Sequence, residues 1–179
     1  MIEVDGIVLR ALEPEDVDLL YEWENDMKLW VVSNTLTPFS KYQLRQYIEN
    51  SKLNIFQTKQ LRLIVDVKGA DTVSTIGMID LFDFDPFHGR GGVGIVIHSS
   101  YRGKGYAKKA LSAFIDYCFD YLHLHQLYAN IISDNKASIL LFESVGFELS
   151  GRKKEWVKTL SGYEDELFFQ RLNSEGSRN

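Results

Sequence analysis

With 179 residues, 45% of them apolar and only three prolines, the chain can bury one sizeable core, so it reads as a single domain over 1–172 followed by a disordered tail at 173–179. Its net charge of −5 excludes nucleic acid as a general partner, because phosphate backbones draw basic surfaces, and favours a cationic one. The one cysteine, Cys118, excludes an internal disulfide and any multi-cysteine metal site, in keeping with a reducing cytoplasm.

The opening MIEVDGIVLR lacks the basic and apolar regions of a signal peptide, and no stretch reaches the roughly 18 uninterrupted apolar residues of a membrane span. A soluble cytoplasmic protein with no membrane partner is expected. Residues 7–13 read as a short strand, and Pro14 stands where a first helical turn tolerates a missing N–H. The helix that follows, to about Asp26, sets Val17, Leu20 and Trp23 on a core face, while seven acids and no bases occupy 13–26. The stretch MKLWVVSNTLTPF reads as a connector with turns near Asn34 and Pro38. Ser40 caps a second helix to about Asn54, striped by Leu44, Tyr47 and Ile48.

Three strand-like runs come next, over 60–68, 74–85 and 93–99, separated by Gly, Asp and Pro clusters as in an antiparallel meander. From about Lys104 to Leu122 the period becomes helical, and QLYANIIS (126–133) returns to strand. Asp134 or Asn135 caps a short helix that ends at Gly146, and two last strands, near Phe147–Lys158 and Tyr163–Leu172, are joined through TLSGY. The strand, helix and strand over 93–133 make one βαβ unit with a right-handed crossover. The fold class is therefore α/β, a mixed α+β sheet that is mostly antiparallel.

The most informative stretch is SSYRGKGYAKKAL, at the entry to the long helix. A helix N-terminus exposes N–H groups and the positive end of its dipole, and Gly103 and Gly105 let backbone approach a ligand. Arg102, Lys104, Lys108 and Lys109 add charge, so the residues suit a phosphate cradle, and a solvated helix start with surface lysines is the plain alternative. The pattern is neither the P-loop of nucleotide-binding proteins nor the dinucleotide fingerprint.

RGKGYA (102–107) resembles the Arg/Gln-x-x-Gly-x-Gly/Ala signature of the GNAT superfamily of N-acetyltransferases, and NKASILLFESVGF (135–147) resembles its second motif. The likeness is nearest to the branch of spermidine and ribosomal-protein N-terminal acetyltransferases. It implies a GNAT-like fold with a splayed parallel pair at strands 4 and 5 of the order above, and helices on both faces. It also implies acetyl-CoA as co-substrate, its diphosphate on the backbone of Arg102, Gly103, Lys104, Gly105, Tyr106, Ala107 and Lys108. The pantetheine arm then lies along Ile95, Val96 and Ile97, with Asn135 and Ser138 on the far side. Gly91, Gly92 and Gly94 suit a bulge on that strand.

Acetyl transfer needs a deprotonated amine, a polarised carbonyl and a stabilised thiolate. The resemblance makes the backbone N–H of Ile97, on the strand of Ile95 to Ile97, the polarising donor. Many members protonate sulfur with a tyrosine at the position held here by Phe142, and Tyr128 and Tyr106 are the alternatives in this chain. Asp80 is the leading base, with Asp83 and His98 as further candidates; inside its apolar run Asp80 requires a partner. His123 and His125 have no carboxylate or cysteine at ligand spacing, so no metal is expected. The acceptor is expected between Asp26–Pro38 and Trp156–Glu166, with Asp26, Trp30, Asp80 and Trp156 as its contacts and an acidic rim that draws an amine. These expectations describe an acetyltransferase for a small amine or a peptide N-terminus, with a homodimer as its candidate assembly. A CoA-binding regulatory module of the same fold is the alternative, motivated by Phe142 and by the glycines where related strands carry a carboxylate; a nucleotide-binding protein is a third class.

Overall fold

The Asp5-Gly6 dipeptide takes left-handed conformations at both residues, φ 49° and 79°, the geometry that closes a tight hairpin with the twist of its strands. It joins β1 (Ile2–Val4) to β2 (Ile7–Arg10), so the sheet begins one strand earlier than the apolar run at 7–13 indicates, and β2 stops at Arg10. The computed structural model describes residues 1–33, 35–70, 72–159 and 161–174. Asn34, Leu160 and residues 175–179 of the expected turns and tail therefore lie outside the described residues.

The meander follows as β3 (Leu61–Lys68), β4 (Val73–Asp85) and β5 (Arg90–Ile97), each antiparallel to the one before. Helix α5 (Tyr106–Asp116) then crosses to β6 (Gln126–Ile132), which lies parallel to β5. The expected helix through Leu122 changes character at Tyr117, where a wider π turn runs to Tyr121 and His123 ends it at φ 54°. Helix α6 (Lys136–Glu143) is capped by Asn135 and followed by Gly146 at φ 86°. β7 (Glu148–Thr159) and β8 (Gly162–Leu172) complete a sheet of order β1-β2-β3-β4-β5-β6-β8-β7. Asn173, the first residue of the expected tail, is tied to the sheet: its N–H donates to His125 O at 2.8 Å and its side-chain amide to Leu124 O at 3.2 Å.

On one face, α5 and α6 cover Ile79, Leu81, Val93, Leu127, Ala129 and Phe169, with Phe114 and Phe142 filling the space between. On the other, α1 (Val17–Glu24) and α3 (Lys41–Asn50) cover β3, β4 and the far end of β5 through Leu20, Trp23, Leu44 and Ile48 on Ile64, Met78 and Val96. Two further helices depart from expectation. MKLWVVS is α2 (Met27–Ser33) and not a connector, and the helix expected through Asn54 ends at Asn50, after which Asn54 caps the short α4 (Ile55–Thr58).

An ion cluster fixes the start of α1 to the sheet. Arg10 grips both oxygens of Asp16, at 2.7 and 2.9 Å, and Asp66 at 2.8 Å, while Thr75 donates to Asp66 at 2.7 Å. Burial alone would raise the Asp16 carboxyl, but the Arg10 hydrogen bonds and the Glu13 amide overcome it and hold Asp16 below the usual carboxylate range. Asp16→Asn is therefore expected to lose about 2 kcal/mol of stability at pH 7, the worth of a charged hydrogen bond. Because the folded-state value is depressed, this advantage is complete above about pH 4 and disappears as pH falls through the lower native value. Urea titrations of both proteins from pH 7 to pH 3 check it, the curves converging on acidification.

Candidate active site

The parallel pair starts as a regular ladder and then stops. Arg90, Gly91 and Gly92 pair with Gln126, Leu127 and Tyr128, and beyond that rung β5 continues to Ile97 and β6 to Ile132 without pairing. The His98 N–H crosses to Ile76 O on β4 at 2.8 Å, so strand alternation turns the N–H groups of Val93, Ile95 and Ile97 into the gap. The same alternation turns the Val96 N–H toward β4, and its side chain packs on the α1–α3 cluster. Val96 thus faces away from the gap, while Ile95 and Ile97 turn their N–H groups into it.

At the mouth of the gap stands the glycine loop. Gly103 and Gly105 have φ of 74° and 79°, and a Cβ on either would meet nothing within 4 Å, so both need the left-handed region and both face open space. Lys109 N–H to Gly105 O at 3.2 Å is the first bond of α5, which leaves the N–H groups of Tyr106, Ala107 and Lys108 ahead of the first closed turn. The Arg102 Nε–H donates to Ile97 O at 2.8 Å and ties the loop to the end of β5. Lys104 lies 5.3 Å over the Tyr101 ring, and Lys108 is exposed. Across the gap, just past β6, the Asn135 Oδ1 accepts from the Ser138 N–H at 3.2 Å. Cap and loop thus stand at the same end of the two diverging strands.

The glycines of β5 have a different cause from the one expected. The bulge is on β4 between Phe82 and Asp85, opposite regular β5. A Cβ on Gly92 would stand 2.2 Å from the Phe82 ring, and one on Gly91 would stand 2.7 Å from Leu81. Phe82 therefore occupies the room that a side chain at 92 would take. The bulge turns Asp83, φ 49°, toward β6, where the Tyr128 hydroxyl donates to it at 3.2 Å. Burial, then the Asp83 charge, pushes the Tyr128 phenol up to about 12.

Asp80 has the partner its surroundings demanded. Arg62 donates to both its oxygens, at 2.6 and 3.0 Å, and also to Glu24 at the end of α1. Both oxygens of this carboxylate are occupied by the guanidinium, an arrangement that fixes the side chain in place more than it frees it to act as a base. Phe142 is buried edge-on to Phe147, with ring centroids 5.0 Å apart. His98 stacks on Trp23 at 6.2 Å and accepts the Ser100 N–H, and so serves packing.

The two expected acceptor walls do meet, α2 lying against β7. The Trp30 indole donates to Glu24 O at 2.9 Å, and Asp26 accepts the Lys28 N–H at 3.0 Å. Trp156, 62% exposed, rides on a bulge of β7 whose Glu155 N–H and Arg152 side chain both bind Asp165. The acidic rim is weaker than its sequence indicates, because Lys153 pairs with Glu166 at 2.6 Å, Arg152 with Asp165, and Arg62 with Glu24. Among the described residues no group of three His, Cys, Asp or Glu side chains could hold a metal ion, and no helix is long and apolar enough to cross a membrane.

The family model described as acetyltransferase (GNAT) domain matches residues 7–148. The chain belongs to the GNAT acetyltransferase family. An uncharacterized N-acetyltransferase, p20, of Bacillus licheniformis is 29% identical over 172 residues, covering 96% of this chain and 95% of that protein. The spermidine N(1)-acetyltransferase of Escherichia coli K12 is 27% identical over 157 residues, covering 84% of this chain and 77% of that one. Among solved structures, spermidine N-acetyltransferase from Vibrio cholerae in complex with CoA and spermine superposes with a TM-score of 0.86 at 23% identity, covering 97% of this chain and 99% of that one. At that identity the likeness establishes the fold, a GNAT fold with helices on both faces of an open mixed sheet.

The Phe82–Gly92 contact yields a coupling test. Gly92→Ala alone is expected to cost about 1–3 kcal/mol, as overpacking does. In a Phe82→Ala background most of that cost disappears, which urea denaturation of the two single variants and the double variant measures directly.

Proposed function

We propose that the protein moves an acetyl group from acetyl-CoA to a primary amine, a polyamine-like small molecule or a peptide N-terminus, by direct attack in a ternary complex in the cytoplasm. One observation carries this reading: a strand gap lined by unladdered N–H groups opens beneath a helix mouth whose two glycines face empty space. The diphosphate lies on the N–H groups of Tyr106, Ala107 and Lys108, with Lys104 and Lys108 supplying charge. The pantetheine amides add to the β5 edge at Ile95 and Ile97, and Asn135 closes the far side. Among relatives, spermidine N(1)-acetyltransferases and a neighbour solved with CoA and spermine support both the co-substrate and a small amine.

The amine nitrogen attacks the thioester carbonyl while an N–H of β5 holds the carbonyl oxygen; the new C–N bond replaces the C–S bond. An acceptor that arrives as an ammonium gives up two protons, one to solvent before attack and one as the C–N bond forms; the departing thiolate takes one, so one proton is released overall. Phe142 has none to give, and water carries it. Asp80, tied to Arg62, shapes the wall beside the gap. The second reading, a CoA-binding module without turnover, is favoured by the buried Phe142 and by the glycines at 92 and 94.

Release of free thiol from acetyl-CoA over a panel of amines and N-terminal peptides separates the two. Turnover on at least one acceptor is expected; tight CoA binding without turnover on any of them overturns the enzyme in favour of the module, and protection by ATP but not CoA overturns both. Gly105→Val puts a β-branched side chain in the left-handed region and in the path of the diphosphate. CoA affinity measured by calorimetry is expected to fall at least tenfold, about 1.4 kcal/mol or more.

A further inference from the structure

The arm of acetyl-CoA enters the gap from the glycine loop, so the place where the gap closes limits what its far end can carry. Three N–H groups of β5 face the gap, Ile97 nearest the loop, then Ile95, then Val93. They stand two residues apart, roughly 7 Å at the rise of a strand, a step that successive amides of the arm match. With those amides on Ile97 and Ile95, as proposed above, the thioester carbonyl comes to Val93. Ile97, the polarising group that the resemblance implies, then holds the arm and not the carbonyl. Val93 is one residue from Gly92, which pairs with Tyr128 on the last rung of the ladder. The acyl group thus points at a closed end, with roughly 3 Å of strand beyond the carbonyl.

That end is sealed by aromatic rings. Phe82 on β4 lies across the glycines of β5: a Cβ on Gly92 would stand 2.2 Å from its ring, and one on Gly94 would stand 3.8 Å from it. The ring therefore covers β5 on both sides of Val93, and it meets Tyr128 of β6 edge-on with centroids 5.8 Å apart. Phe82 and Tyr128 bridge the two strands where they begin to part. Tyr128 is held there by its stack on Phe168 at 5.3 Å and by its hydrogen bond to Asp83 at 3.2 Å, and the β4 bulge begins directly after Phe82.

We infer that Phe82, braced by Tyr128, sets the length of the acyl group that the enzyme transfers: an acetyl group fits between Val93 and the ring, and each further methylene, about 1.3 Å long, drives the chain into it. This rests on the acetyltransferase reading above and adds to it the choice of thioester, which is independent of the acceptor. Gly92 and Gly94 are then the platform on which the selecting ring lies.

The test compares acetyl-, propionyl- and n-butyryl-CoA by thiol release, with the acceptor turned over fastest in the panel above. For the wild-type protein kcat/KM is expected to fall at least tenfold from acetyl to propionyl and further to butyryl, the cost of each methylene in a closed apolar pocket. In Phe82→Ala the butyryl-to-acetyl ratio is expected to rise at least tenfold, and in Phe82→Leu, which fills part of the space, about threefold. Thermal melting reports whether each variant is folded, and Phe82→Leu carries the comparison if Phe82→Ala is not. Equal use of the three thioesters by the wild-type protein overturns the selection and leaves the acetyltransferase standing. So does a folded variant that keeps the wild-type ratios, or that loses all three rates in proportion, as a ring that only supports the sheet would. Absence of acetyl-CoA turnover on every amine brings down the underlying reading with it. If neither variant folds, the wild-type comparison decides.

Discussion

Backbone N–H groups facing a place where no strand answers them are the constraint from which the rest follows. An unpaired main-chain donor shut away from water costs as much as a lost hydrogen bond. A sheet that parts after three rungs must therefore offer its open edge to solvent or to something with carbonyls of its own. The loop at Arg102 reinforces the opening, since its guanidinium takes the last β5 carbonyl and holds the helix mouth over the gap. Strand edge, loop and helix terminus thus present an unbroken series of main-chain donors.

On the opposite side the charges are arranged with more restraint than a count of acids indicates. Most carboxylates near the acceptor region hold a cation already: Glu24 and Asp80 share Arg62, Asp165 has Arg152, and Glu166 has Lys153. Paired charges contribute rigidity to α1, β4 and the β7 bulge, and little attraction for a ligand at distance.

Much of this was legible beforehand, for reasons that differ by element. The meander, the crossover helix and the capped α6 each combine a clear period with turn residues, and local chemistry sufficed. The glycine loop was legible because two left-handed positions ahead of a helix admit few explanations. The N-terminal hairpin was equally signalled, by Asp5-Gly6, yet a three-residue strand has too short a run to show alternation. α2 was hidden because its stretch ends among turn residues, and its cap, Asp26, whose carboxylate accepts the Lys28 N–H, reads in sequence as the end of the helix before it. Asp80 announced its need for a partner, but pairing to Arg62 depends on strand register, which a single sequence does not fix. The Gly92–Phe82 fit and the turn of Asp83 toward Tyr128 are likewise products of register: a bulge moved from one strand to its neighbour changes which side chain fills the space.

The order of the last two strands has a consequence for how the chain is made. β8 lies against β6 and β7 lies outside it, although β7 is synthesised first. Until β8 docks on β6, β7 has no neighbour to bond with, and a solitary extended segment of twelve residues invites pairing with other chains. Arg152, Lys153, Lys154 and Lys158 repel such company during that interval, and in the finished sheet the same cations guard its outer border.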